Sequence, residues 1–340
     1  MAGSFCPANR DHHAGLFSFG ERLGIFMTIL AALLSIVSAS GLLLYAILRR
    51  IKRRKSSRRR TTRHSRSRSD ASGFSLLISL VTADLIQAMG GMPSWRWMLD
   101  AQVMDGPSCT FQGAFLNVGN VAIALSSLSI AVHTFVVLVL HWRVTRLTLR
   151  IVVGSIWVIT AIIIVACGRG RSGYYGDTGY WCWITEEHCP ERVVGEYLWM
   201  WIAFFIMIGL YVYMFFMMLK GTIRTQRNSE KEEEEVKESR KMAYSMLFYP
   251  AVYLFCLAPV SISRWLDWSR ASGNPLPPAA TLFSNTVFSL SGFLNLILFT
   301  ITRPTLITGD SSSVSSVGDV GGFAMEEEAP VKHTHGASIL

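Results

Sequence analysis

Residues 109–143 read CTFQGAFLNVGNVAIALSSLSIAVHTFVVLVLHWR. From Thr110 to Leu140 there is no formal charge. A helix needs roughly 20 residues to cross a hydrocarbon core about 30 Å thick. The 31 residues between Cys109 and His141 can cross with tilt and overhang. The same stretch carries Asn117, Asn120, Ser126, Ser127, Ser129 and His133. Polar groups in hydrocarbon need partners. This helix is therefore expected in the middle of a bundle, not against lipid.

Six more apolar runs flank it. They cover residues 23–48, 73–92, 151–168, 197–219, 242–266 and 279–301, and the central helix itself is expected over 110–140. Asp84 interrupts the second run, and Arg264 stands near the end of the sixth. The runs are long enough to span a membrane. The chain thus reads as an all-α membrane protein, a seven-transmembrane helix bundle over 23–307. The composition agrees, with 51% apolar residues, 16% charged and a mean hydropathy of +0.35, where soluble domains carry about 25% charged residues. A net charge of +9 would suit nucleic acid. The basic residues sit between hydrophobic runs, however, so no nucleic-acid partner is expected. The first 22 residues are mostly polar and the first run is too long for a signal core, so that run is expected to act as a signal anchor.

Basic residues fix the expected orientation, because cytoplasmic loops retain Lys and Arg. With residues 1–22 extracellular, the inner segments hold 24 Lys and Arg and the outer segments hold 8. The N-terminus is therefore expected outside and the C-terminus in the cytosol. Residues 49–68 alone carry 12 of the 24. Next to a helix end they should attract anionic inner-leaflet lipid, at about 1 kcal/mol each near the surface; alternatively they form a solvated loop that only holds topology. The stretch 220–241 mixes acidic and basic residues and is expected to extend the fifth and sixth helices. Residues 308–340, rich in Ser and Gly, read as a disordered cytosolic tail.

Several residues stand out chemically. Asp84 lies near mid-span, where a carboxylate is costly and usually functional or firmly partnered. Its candidate partners are Asn120, Ser127, Asn285, Ser289 and Asn295, in a polar core that either binds a cation or is a structural node. Trp95, Trp97, Trp181, Trp183 and Trp199, with Asn117, form a candidate pocket for a sugar or other small ligand. The same tryptophans would equally serve as interface anchors. Arg143, Arg146 and Arg303 are candidate contacts at the expected inner face, and Arg303 would also serve as a snorkelling cation. Pro250 and Pro259 should bend the sixth helix and make it the moving part. No metal-ligand cluster stands out, no lysine occurs in 279–301 to hold retinal, and no internal repeat suggests a transporter. Neither a cofactor nor an enzyme is expected.

Taken together, the chain resembles seven-helix G-protein-coupled receptors. The finer motifs are Ser75-Leu76-Leu77-Ile78-Ser79 running into Asp84-Leu85-Ile86-Gln87-Ala88, then His133-Thr134-Phe135, Tyr180-Trp181-Cys182-Trp183-Ile184, and Asn295 with Thr302-Arg303-Pro304. They are similar to the cyclic-AMP-receptor-like and fungal glucose-receptor-like group. His141-Trp142-Arg143 stands where rhodopsin-like receptors have Asp-Arg-Tyr, Cys256-Leu257-Ala258-Pro259 lacks the usual tryptophan, and Leu296 follows Asn295 where proline is usual. The resemblance implies a Cys109–Cys182 disulfide joining the third helix to the second outer loop. Cys6 and Cys189 either form a second bridge or stay free. It also implies a plasma-membrane receptor for an extracellular small molecule (nutrient, sugar or cyclic-nucleotide-like) that signals through a heterotrimeric G protein to cyclic AMP. The competing expectation is a seven-helix transporter, or a membrane protein without G-protein coupling.

Overall fold

The computed structural model describes residues 16–57, 74–140, 142, 144–219, 248–269 and 276–302. The stretch 220–241, the tail 308–340, Cys6, Arg143 and Arg303 lie outside the described residues. Ten helices are given labels here: α1 Phe19–Ser57, α2 Phe74–Gly90, α3 Ser94–Asp100, α4 Pro107–Leu138, α5 Arg146–Gly168, α6 Cys189–Arg192, α7 Leu198–Leu219, α8 Phe248–Ser269, α9 Pro278–Ser289 and α10 Ser291–Thr302. Strands β1 Tyr175–Asp177 and β2 Cys182–Ile184 pair antiparallel, with Tyr175 opposite Ile184 and Asp177 opposite Cys182. Among the described residues six helices are long and apolar enough to cross a membrane, and a shorter apolar helix runs Pro250–Arg264.

The central stretch does form the hub. Helix α4 packs against α2, α5, α7, α8 and both strands. Within its apolar window 56% is buried, against 22% for α5. Hydrophobic residues line α5 all round, and Ile151, Val158, Ile162 and Val165 are exposed, which suits a helix that meets lipid. In α4 the buried face carries Asn117, Asn120, Ser126, Ser127 and Thr134, and Ser79 on α2 bonds Ser126 at 3.1 Å.

Helix α2 crosses α4 at two glycines. A Cβ on Gly119 would meet the Gln87 backbone at 2.7 Å, and one on Gly90 would meet the Leu116 nitrogen at 2.9 Å. Small residues allow two helices to approach this closely without a water-driven force between them.

Three boundaries differ from the apolar pattern, each through polar chemistry. Helix α1 begins at Phe19 because Ser18 caps it. The Ser18 amide donates to Glu21 at 2.8 Å, and the Glu21 amide donates back to the Ser18 hydroxyl at 3.4 Å. The helix then continues through the basic residues to Ser57, so residues 49–57 extend the first helix beyond the expected end at 48. Helix α5 begins at Arg146, because the Thr145 hydroxyl accepts the Thr148 amide. Arg146 and Arg150 are therefore helical.

The seventh run is two helices, broken at Leu290. Its cause is Ser35 of α1. That hydroxyl donates to the Ser289 carbonyl at 2.6 Å and accepts the Phe293 amide at 3.3 Å. It thus occupies the place where Phe293 would bond Ser289 directly. A side chain inserted into the helical ladder is a recognised cause of a kink.

Candidate functional site

The loop between α5 and α7 folds back as the β1–β2 hairpin against α4. Cys182 is joined to Cys109 by a disulfide, with Cα atoms 5.1 Å apart. Gln112, one turn along α4, accepts the Cys182 amide at 2.8 Å and the Trp97 indole at 2.7 Å, and donates to Ser94 at 2.9 Å. One buried amide thus ties hairpin, α3 and α4 together. The Asp177 amide adds a bond to Asp105 at 3.1 Å.

The chain enters α7 through a wide π turn over Val193–Tyr197. Such turns insert an extra residue and often mark functional places. Here the turn carries Glu196, which is 3% exposed. Its carboxylate accepts three N–H donors: Asn117 at 2.8 Å, Asn120 at 2.7 Å and the Trp183 indole at 2.7 Å. Asn117 also donates to the Gly195 carbonyl and accepts the Tyr175 hydroxyl. Burial pushes the pKa of that hydroxyl upward, with Tyr174 and Glu196 nearby adding to the effect. Asn117 and Asn120 are three apart and share a helix face, so one acceptor serves both.

A cavity of about 60 Å³ adjoins this carboxylate. Its wall includes Gln87, Gln112, Asn120, Trp181, Trp183, Glu196, Tyr197, Arg264 and Asn285. The Arg264 guanidinium lies 5.6 Å from the Trp181 ring centre and 5.9 Å from that of Trp183. Arg192 lies 4.9 Å from the Trp183 ring and donates to the Ile184 carbonyl. Trp183 therefore has cations near its ring and a carboxylate on its nitrogen.

Of the tryptophans singled out from the sequence, Trp181 and Trp183 line the cavity. Trp97 does not: it is 1% exposed and packs with Phe17, Ile25, Cys109 and Leu282. Trp95 is half exposed, and the Trp199 nitrogen bonds the Val194 carbonyl; neither lines the cavity. Asn117 reaches the site through Glu196.

The candidate polar core divides in two. Asp84 is fully buried and accepts Ser291 at 2.9 Å and Asn295 at 2.8 Å. Asn120 is not its partner, because Glu196 captures that amide. Asn285 lies on the cavity wall instead. Ser291 was missed, since the break at Leu290 turns it inward. Arg146 is exposed at the start of α5, at the far end of α4 from the disulfide.

Glu196 is the residue that sequence reading missed. It stands next to the fifth apolar run, where a charge reads as the end of a loop. The available signal was the Asn117–Asn120 pair, two amides on one face that need a shared acceptor.

Cys189 is also disulfide-bonded, while Cys167 and Cys256 are free thiols. Among the described residues, no group of three His, Cys, Asp or Glu could hold a metal ion.

No curated protein matches the chain. Residues 61–299 match the family model described as 7 transmembrane receptor (rhodopsin family). That span holds α2 to α9, the disulfide and the Glu196 cluster, well over half the chain. With that match and this architecture, the chain belongs to the rhodopsin family of seven-transmembrane receptors.

Proposed function

We propose that this receptor senses an extracellular small molecule, of nutrient, sugar or cyclic-nucleotide-like class, and signals through a heterotrimeric G protein to cyclic AMP. The N-terminus faces outside, the C-terminus is cytosolic, and the protein works at the plasma membrane. One observation carries this reading. A cavity with a carboxylate, a guanidinium and two indoles on its wall lies beneath a loop tethered by the Cys109–Cys182 bond. A ligand there touches the π turn that leads into α7 through Glu196, α8 through Arg264 and α4 through Asn120. It can shift their arrangement to the extent that it binds one state better than another.

The resemblance of the Tyr180–Ile184 stretch and its companion motifs to cyclic-AMP-receptor-like proteins supports the cyclic AMP output. Arg143, Arg146 and Arg303 meet the G-protein α subunit, and the basic residues within 49–68 bind anionic inner-leaflet lipid. Cys6 is the partner of Cys189. The test is a ligand panel applied to cells expressing the chain, read as G-protein nucleotide exchange and cyclic AMP. A ligand-dependent change in both is the expected result. Substrate uptake without any G-protein dependence would overturn the receptor reading in favour of a transporter.

A further inference from the structure

Ser291 has one hydroxyl proton and two acceptors within reach. It donates to Asp84 Oδ1 at 2.9 Å, and Gln87 Oε1 stands 3.5 Å from the same hydroxyl. Both acceptors belong to α2, three residues and so about one turn apart, and Ser291 is the first residue of α10. All three are buried: Asp84 is 0% exposed, Ser291 2% and Gln87 4%. A hydroxyl carries a single O–H donor, so the two acceptors compete for it. A bond to a carboxylate is shorter and stronger than one to a neutral amide, and the distances agree: the proton rests with Asp84.

The two acceptors face different surroundings. Gln87 lines the same cavity as Glu196 and Asn120, whereas Asp84 does not. The α2–α4 crossing holds the Gln87 backbone in place, since a Cβ on Gly119 would come within 2.7 Å of it. The carboxamide is therefore the part of Gln87 that can answer to the cavity. It has an acceptor end, Oε1, and a donor end, Nε2. A ligand donor bonded to Oε1 leaves the Ser291 proton wholly to Asp84. A ligand acceptor bonded to Nε2 keeps Oε1 turned to Ser291 and polarises it, which draws the proton away from Asp84.

We propose that Gln87 is the positioning residue that couples the cavity to the α2–α10 joint: its carboxamide competes with Asp84 for the single proton of Ser291, and the ligand group bonded to Gln87 sets the outcome. The ligand's part in this rests on the receptor reading of the cavity, and the competition itself does not. Ser291 is well placed to pass the effect on. It follows Leu290, where the seventh run breaks and Ser35 holds both the Ser289 carbonyl and the Phe293 amide. Loss of the proton to Gln87 leaves Asp84 with its Asn295 bond and loosens α10 at the end next to that break.

The full chain is purified in detergent with its aspartates labelled with carbon-13, and the infrared band of the Asp84 carboxyl group is assigned by its disappearance in Asp84→Asn. Two components are expected, one for each partition of the Ser291 proton. Gln87→Met keeps the length of the side chain and removes the competing acceptor, so the band should collapse to the component bonded to Ser291. Gln87→Glu keeps an acceptor at that length and should retain both. Val260→Phe fills the cavity from α8, where Val260 forms part of the wall. It should change the ratio of the components by about two- to tenfold, the worth of one net hydrogen bond, and should change nothing in the Gln87→Met background. Met200→Phe fills the same cavity from α7 and replaces Val260→Phe if that variant fails to fold.

A band that is the same with Gln and Met at position 87 overturns the proposal. So does a filled cavity that moves the band equally in both backgrounds, or in neither. Ligand-driven nucleotide exchange with an Asp84 band indifferent to position 87 sinks the coupling and leaves the receptor reading standing. The expected band changes without exchange for any ligand do the reverse.

Discussion

Asp84 and Glu196 are both carboxylates inside the bundle, 0% and 3% exposed, yet they are held in opposite ways. Asp84 takes both its donors, Ser291 and Asn295, from one helix, α10. It works as a rivet between α2 and α10. Glu196 gathers donors from α4 and from the hairpin, and still has capacity facing a cavity. Burial alone does not separate them. What distinguishes them is where each one faces: Glu196 lines the cavity and Asp84 does not.

The strongest way to break this contrast is to release the hairpin. Cys109→Ala opens a closure of 73 residues, worth about 4 kcal/mol on the loop-entropy account. Unfolding in detergent should fall by that order, ligand binding should be lost, and Cys167→Ala should do neither. Equal effects of the two substitutions would mean that the tether does not hold the site.

Next in size is Glu196→Leu. It strands three buried N–H donors and should cost about 3 kcal/mol, more than Asp84→Asn. If the two changes lower the melting temperature equally, the Glu196 cluster is no better bonded than the Asp84 rivet.

Gly119→Ala should cost about 2 kcal/mol through overpacking, because backbone, not a movable side chain, stands in the way. The crossing it disturbs carries Asp84 and Gln87 on one helix and Asn117 and Asn120 on the other. Both carboxylates should therefore be affected, and chemical labelling that reports α2–α4 spacing would register it. Unchanged stability and spacing would show that the helices are not this close.

The smallest expected effect is Ser35→Ala, at about 1 kcal/mol. It should alter only the Asp84 side, straightening the joint between α9 and α10 while ligand affinity holds. Distances between spin labels placed on either side of Leu290 would measure it. An unchanged angle would assign the break to some other cause.

Much of this was legible in the chain. Hydropathy gave the helices, since apolar length is a direct reading of bilayer thickness. The polar content of 109–143 placed that helix at the centre. Asp84 stood out because a charge inside an apolar run is conspicuous. Glu196 lacked that contrast, sitting where apolar sequence meets polar loop. Its inward turn depends on the π geometry of Val193–Tyr197, which no local residue pattern announces. The break at Leu290 was equally hidden. The seventh run contains no internal proline, and the residue responsible lies more than 250 positions away. The hairpin escaped notice because its strands are three residues each, too short for alternation to register.

Most helices bend where their own residues dictate. The rod that ends this bundle bends where a neighbour dictates, for Ser35 is a pin driven into the hinge from the first helix. Any swing of α10 about Leu290 must withdraw that pin and give up two hydrogen bonds together. Helix α1 thereby keeps a hand on α10, and two segments more than 250 positions apart are latched to each other.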